Sequence, residues 1–211
     1  VMAASAKYLH RNGVYSFLYS DDINVFHKIM EKLAREQPIV LLFFQGAGWL
    51  INEPKSQLSI TQRGIYIGLD IDLEYGLVYP TQKRWRKLQS VIQLFLRRDS
   101  APARLWASLL GIITCLQDLT PLGRVQAREL QFHVNSYWKD RRNTFQLVPV
   151  TQSVKSALVW WLQSDNVMSG TPLAPGPITQ TLTTDASNLG WGGGVWHAQE
   201  ASGTWSPQES Q

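Results

Sequence analysis

Two adjacent carboxylates, Asp21 and Asp22, stand between two apolar runs near the start of this 211-residue chain. Val14-Tyr15-Ser16-Phe17-Leu18-Tyr19 alternates into them, and Ile23-Asn24-Val25-Phe26 leads out again. The pattern reads as a strand, a tight turn and a returning strand. Two carboxylates at an exposed hairpin tip form a hard, doubly negative, oxygen-rich site. Magnesium suits such a site, because it keeps several of its waters and shares substrate phosphates. The same pair also suits a plain turn, since Asp caps its own backbone.

Other residues carry charge in suggestive places. Lys83, Arg84, Arg86 and Lys87 cluster around Trp85, and Arg97 with Arg98 follows. A row of this kind can track a phosphate backbone. It equally suits a solvated helix face whose apolar side takes Trp85. Asp185 closes an alternating stretch at 179–184, where an acid serves either chemistry or a strand-end cap.

The elements that must position these residues are legible in outline. Residues 1–10 end a helix, with Asn12-Gly13 as its stop signal. After the acidic hairpin, Phe26, Ile29, Met30 and Leu33 fall at helical spacing, and Pro38 is expected to close that helix. Residues 65–72 and 77–79 read as extended pieces about a turn at Glu74-Tyr75-Gly76. From Pro80 the period becomes helical: Trp85, Leu88, Ile92, Phe95 and Leu96 make one stripe. Ser100 with Pro102 is expected to cap a second, strongly apolar helix running to about Leu116. Thr120-Pro121 restarts a third helix, and 151–162 makes a fourth. The Pro- and Gly-rich stretch 169–177 reads as a linker. Beyond it 179–184, 191–197 and 204–206 are expected as three antiparallel strands, with 200–203 as a turn.

Composition bounds the answer. A hydrophobic content of 44% with 11% aromatics excludes a disordered chain. The net charge of +4 and an isoelectric point near 9.3 suit an anionic partner such as nucleic acid. The single cysteine, Cys115, excludes an intramolecular disulfide and suits a reducing, intracellular setting. The uncharged stretches 39–52 and 105–117 are shorter than the roughly 20 residues a membrane helix needs, and read instead as buried core.

Four blocks in one order carry a family resemblance. Tyr19-Ser20-Asp21-Asp22 resembles the YxDD box of reverse transcriptases, and Gly46-Ala47-Gly48-Trp49 through Asn52 to Lys55-Ser56 resembles the block downstream of it. Ile65-Tyr66-Ile67-Gly68-Leu69-Asp70-Ile71-Asp72 resembles their primer-grip strand. Thr183-Thr184-Asp185-Ala186-Ser187, Gly190-Trp191-Gly192 and Gly203-Thr204-Trp205-Ser206 look like the opening of a retroelement ribonuclease H domain. With Trp160-Trp161 between the blocks, the chain is most similar to DIRS/Ngaro-type retrotransposon polyproteins.

The resemblance implies an α+β fold: the end of a polymerase palm over 1–80, a helical thumb and connection over 81–168, the linker 169–177, and the first three strands of a ribonuclease H-like domain over 178–211. It implies magnesium-dependent DNA synthesis on an RNA or DNA template–primer from deoxynucleoside triphosphates. Asp21 and Asp22 would hold metal, and Tyr19 would pack beneath the primer terminus. Lys55 would face the triphosphate, where a solvated loop lysine is the bland alternative. Ile67, Gly68 and Leu69 would grip the primer, with a plain strand and glycine bulge as the alternative. Arg84, Arg86 and Lys87 would meet the phosphate backbone. Asp185 would be the first nuclease carboxylate; Glu209 is not assigned. Both ends read as cut through domains, so the sequence is expected to be part of a longer polyprotein. A third polymerase carboxylate and the later nuclease acids are missing from it, and the chain alone is expected to be inactive. A non-catalytic nucleic-acid-binding module is the rival reading.

Overall fold

In the computed structural model, which describes residues 2–174, 176–195 and 198–206, the first helix stops where Asn12 and Gly13 require it. α1 (Met2–Arg11) ends as Gly13 takes a φ of +79°, and Val14 N–H turns back to the Leu9 carbonyl at 3.0 Å. The chain then enters β1 (Ser16–Tyr19) and β2 (Asp22–Val25), antiparallel in the register Ser16↔Val25 to Tyr19↔Asp22. Ser20 and Asp21 make the two-residue turn, Ser20 at a φ of +55°. A positive φ at the first turn position matches the twist of the flanking strands.

α2 (Met30–Gly46) departs from expectation, because it starts at Met30 and runs straight through Pro38. An interior proline forfeits one backbone hydrogen bond and costs roughly 3 kcal/mol. Val40 and Phe44, four residues apart beyond it, are buried with Leu9 and Val14 in a small core. Burying two such side chains contributes roughly 1.5–3 kcal/mol each, which outweighs the proline. The stretch 39–52 is therefore only partly core. Ile39, Leu42 and Leu50 point to solvent, while Trp49 and Ile51 pack back.

After a single 3-10 turn at Glu53–Lys55, residues 65–72 do not form one extended piece. They hold a reversal between β3 (Arg63–Tyr66) and β4 (Leu69–Asp72), with Ile67 and Gly68 at φ +43° and +75°. Two consecutive positive φ values make a tight hairpin turn, so the glycine marks a corner and not a bulge. β5 (Leu77–Pro80) pairs with β4 through Asp70↔Tyr79.

The helical region follows the predicted stripes. α3 (Gln82–Leu96) is capped by Thr81, whose hydroxyl accepts from Arg84 N–H, and buries Leu88, Ile92 and Phe95. Ser100 is not a helix cap. It opens β6 (Ser100–Pro102), which pairs with a later strand, and α4 (Ala103–Leu116) begins after Pro102. The Ala103 and Arg104 N–H groups donate to the carbonyls of Gln146 (2.8 Å) and Thr144 (2.9 Å), so a distant loop replaces the missing side-chain cap. α5 (Gly123–Tyr137), β7 (Leu147–Pro149, the partner of β6), α6 (Gln152–Trp160) and α7 (Ser164–Val167) complete the region. Trp106, Leu109, Ile113 and Leu116 of α4 meet Leu130, Val134, Leu158 and Trp161 in the main core.

The predicted linker is partly structured. β8 (Thr171–Pro172) adds an edge strand to the sheet, giving the order β3-β4-β5-β8. Proline is tolerated there because an edge strand can do without one donor. The chain divides into two compact units after Leu173, Val1–Leu173 and Ala174–Gln211; Pro175 lies outside the described residues. The second unit holds β9 (Leu182–Ala186), β10 (Gly190–Val195) and β11 (Glu200–Thr204), antiparallel in the order β11-β10-β9. Residues 200–203 thus belong to a strand and not to a turn. Trp196, His197 and Glu209 lie outside the described residues. The class is α+β, small antiparallel sheets beside a helical core, and no described helix is long and apolar enough to cross a membrane.

Candidate nucleic-acid interface

Alternation along β1 decides what the acidic hairpin shows to solvent. Ser16 is buried and Leu18 packs toward the small core, so Tyr15, Phe17 and Tyr19 share the opposite, exposed face. Phe26 stacks on Phe17 at 4.7 Å, and His27 lies 6.2 Å from Tyr15. This aromatic row is absent from the sequence reading, although the alternation of Tyr, Phe and Tyr at every second residue signals it. At its end Asp22 sits opposite Tyr19, and Asp21 occupies the turn; both carboxylates are exposed.

The acidic hairpin is joined to the β3–β4 hairpin. The Tyr66 hydroxyl donates to the Phe17 carbonyl at 3.1 Å. Burial, and after it the negative charge of Asp22, raises the Tyr66 pKa above its ordinary value, since both oppose a phenolate there. One strand pair away, Arg63 grips Asp70 with two parallel bonds of 3.0 Å and reaches Asp72 at 3.7 Å. The hydrogen bond to Asp70 is the chief reason that the Arg63 guanidinium is held above its ordinary pKa. Asp72 also accepts the Glu74 and Tyr75 N–H groups, both at 3.1 Å, and shapes the β4–β5 turn. These two acids serve the scaffold.

The corner at Ile67 and Gly68 is occupied from one side. Arg84 Nη2 donates to the Ile67 carbonyl at 3.1 Å. A Cβ on Gly68 would stand 2.3 Å from that same nitrogen. Gly68 thus makes room for Arg84, and Leu69 begins the strand that follows, paired with Tyr66 and Pro80. Arg84 and Trp85 are half-buried, the Trp85 indole N–H donating to the Trp161 carbonyl at 3.4 Å. Lys83, Arg86 and Lys87 are exposed, as are Arg97 and Arg98.

Asp21, Asp22, Tyr19 and the Ile67–Leu69 corner are therefore gathered on neighbouring hairpins of one unit, with Arg84 tying the corner to the basic helix. Lys55 is exposed at the end of its 3-10 turn, and among the described residues no hydrogen bond or ion pair joins its side chain to either hairpin. Asp185, in the other unit, is exposed on β9 opposite Gly192, and its Oδ1 accepts the Ala186 N–H at 2.9 Å. Beside it Trp191 lies over Gly203, where a Cβ would come within 2.9 Å of the indole nitrogen. Among the described residues no three His, Cys, Asp or Glu side chains converge as a metal site. Two adjacent exposed carboxylates do not fit a complete magnesium cage, which needs near-octahedral oxygen donors.

No protein-family model and no curated protein matches this sequence. Solved structures do. The foamy viral protease–reverse transcriptase dRH in complex with double-stranded DNA is 16% identical, with a TM-score of 0.63 over 99% of this chain and 35% of that one. The foamy viral protease–reverse transcriptase in complex with an RNA/DNA hybrid is 16% identical, with a TM-score of 0.56 over 100% of this chain and 27% of that one. What is shared is the fold. The chain spans about a third of the length of the structures it matches, 35% and 27%.

Proposed function

We propose that this chain is a segment of a reverse-transcriptase-like polymerase that holds a nucleic-acid template–primer, followed by the opening strands of a ribonuclease H-like sheet. In this reading 1–80 ends the palm, 81–168 forms thumb and connection, and 178–211 begins the nuclease fold. The hydrogen bond from Tyr66 to Phe17 carries the reading, because it sets a two-acid hairpin beside a glycine-cornered one. The corner is held in turn by the first turn of a basic helix through Arg84. The matched foamy viral proteins are bound to DNA and to an RNA/DNA hybrid, which supports the partner class. The retrotransposon origin, of DIRS/Ngaro type, rests on the sequence blocks and Trp160-Trp161.

The side chains divide the work. Arg86 and Lys87 neutralise backbone phosphates, and Arg84 places the corner. Tyr19 and the aromatic row offer ring faces to bases or sugars near the primer end. In a whole polymerase Asp21 and Asp22 would supply part of a magnesium site, Lys55 would meet the triphosphate, and Asp185 would serve the nuclease. Two acids are too few for that chemistry, so this chain alone is proposed not to extend a primer. A second reading, a binding module without catalysis, rests on the exposed basic side chains of α3, Lys83, Arg86 and Lys87, which need no metal site to meet phosphates.

Fluorescence anisotropy with a labelled RNA–DNA primer–template tests the proposal. Binding is expected to weaken with salt, and Arg86→Gln with Lys87→Gln to reduce the log–log slope by about 1.8. Absence of binding at low salt sinks the reading. Magnesium-dependent primer extension by the chain, lost in Asp21→Asn, overturns the proposed inactivity.

A further inference from the structure

A second concentration of positive charge lies away from the hairpins, in the loop 138–146 between α5 and β7. The loop brings Lys139, Arg141 and Arg142 to the start of α4, where Arg104 stands. All four cations are exposed, and among the described residues none of them has an ion-pair partner. The loop's one acid, Asp140, is exposed, and its Oδ1 accepts the Arg142 N–H at 3.0 Å; three cations of the loop outnumber it.

The loop is held in shape. The Trp138 indole N–H donates to the Asn143 carbonyl at 3.1 Å, and the Gln146 amide to the Tyr137 carbonyl at 2.7 Å. Two guanidinium groups lie over aromatic rings, Arg104 on Phe145 and Arg141 on Trp138, each at 4.7 Å. Stacking fixes the plane of a guanidinium and leaves N–H groups on its edge to meet an anion. Arg141 spends one of them, Nη2, on the Asn135 Oδ1 at 2.5 Å, which holds it further, and among the described residues Arg104 keeps its edge. Phe145 remains 67% exposed and offers a ring face as well.

We infer that this surface is a second nucleic-acid contact, binding the phosphodiester backbone through Arg104, Lys139, Arg141 and Arg142. Its elements are α4 and the α5–β7 loop, whereas Arg86 and Lys87 stand on α3. Arginine forks match phosphate oxygens in pairs, and exposed rings beside them suit stacked bases better than an acidic peptide. The choice of nucleic acid as the partner rests on the function proposed above.

Lys139→Gln with Arg142→Gln tests the inference, because neither side chain makes a hydrogen bond or ion pair among the described residues. Thermal melting is expected to be unchanged. In anisotropy titrations of the 211-residue chain with labelled duplex DNA, the log–log salt slope is expected to fall by about 1.8. The affinity lost between about 50 and 200 mM salt then shrinks about 12-fold, and combining this pair with the Arg86 and Lys87 pair adds the two effects. A wild-type slope in the loop variant, with a reduced slope in the helix variant, overturns this inference and leaves the function proposed above standing. Equal competition by polyglutamate at matched charge also overturns it, in favour of an acidic protein partner. No DNA binding by the unaltered chain at low salt overturns both.

Discussion

Gly68→Ala probes the joint between the second hairpin and the basic helix. The residue sits at a φ of +75°, where an L side chain costs roughly 1–2 kcal/mol. Its new Cβ would stand 2.3 Å from Arg84 Nη2 and 2.5 Å from Cζ, so the guanidinium must leave. Moving the end of a flexible side chain is cheap in itself. It breaks the 3.1 Å bond to the Ile67 carbonyl, an exposed hydrogen bond worth about 1 kcal/mol. Together the hairpin is expected to lose about 2 kcal/mol of local stability, or about 30-fold in protection from amide exchange. Hydrogen exchange read by mass spectrometry on the peptide 63–72 measures this directly. Arg84→Ala should cost the hydrogen-bond part alone. In that background Gly68→Ala should cost only the backbone strain, leaving a coupling near 1 kcal/mol. If Gly68→Ala leaves protection unchanged, or costs the same with and without Arg84, the joint does not exist as described.

Two further outcomes follow from burial. Ile113→Ala empties a fully buried site in the main core and is expected to cost about 2–5 kcal/mol in urea unfolding; a loss below about 1 kcal/mol would mean that α4 is not packed as described. Tyr66 has a pKa raised above 10.0, so its contribution to stability is whole below that pH and is lost as pH rises through the raised value. Exchange protection of β1 and β3 should therefore decline above about pH 10 in the unaltered chain but not in Tyr66→Phe, and an identical alkaline profile in both rejects the role of that hydroxyl.

Much of the fold was legible because it follows from near neighbours. Alternation at 14–19 and two consecutive acids define the first hairpin, and Leu88, Ile92 and Phe95 share one face of α3 by helical spacing alone. The exposed basic residues of that helix follow from the same period. Pro38 misled because propensity is a local cost, and the compensating burial of Phe44 against Leu9 is not visible from the proline's surroundings. Ser100 misled for a similar reason. Its neighbours look like a cap, but a partner strand at Leu147–Pro149 takes the backbone instead.

Residue types and their short-range periods thus determined which segments turn, coil or extend, and where the acids and the basic row fall along the chain. Tertiary structure alone decided what those residues meet. Tyr66 and Phe17 are separated by 49 positions, and Arg84 and Ile67 by 17. Such contacts form only when burial elsewhere offsets the entropy of closing the intervening loop, a balance summed over the whole unit. That balance turned Gly68 from a strand residue into the corner on which Arg84 rests, and it gathered the loop cations around Arg104 from two distant stretches of chain.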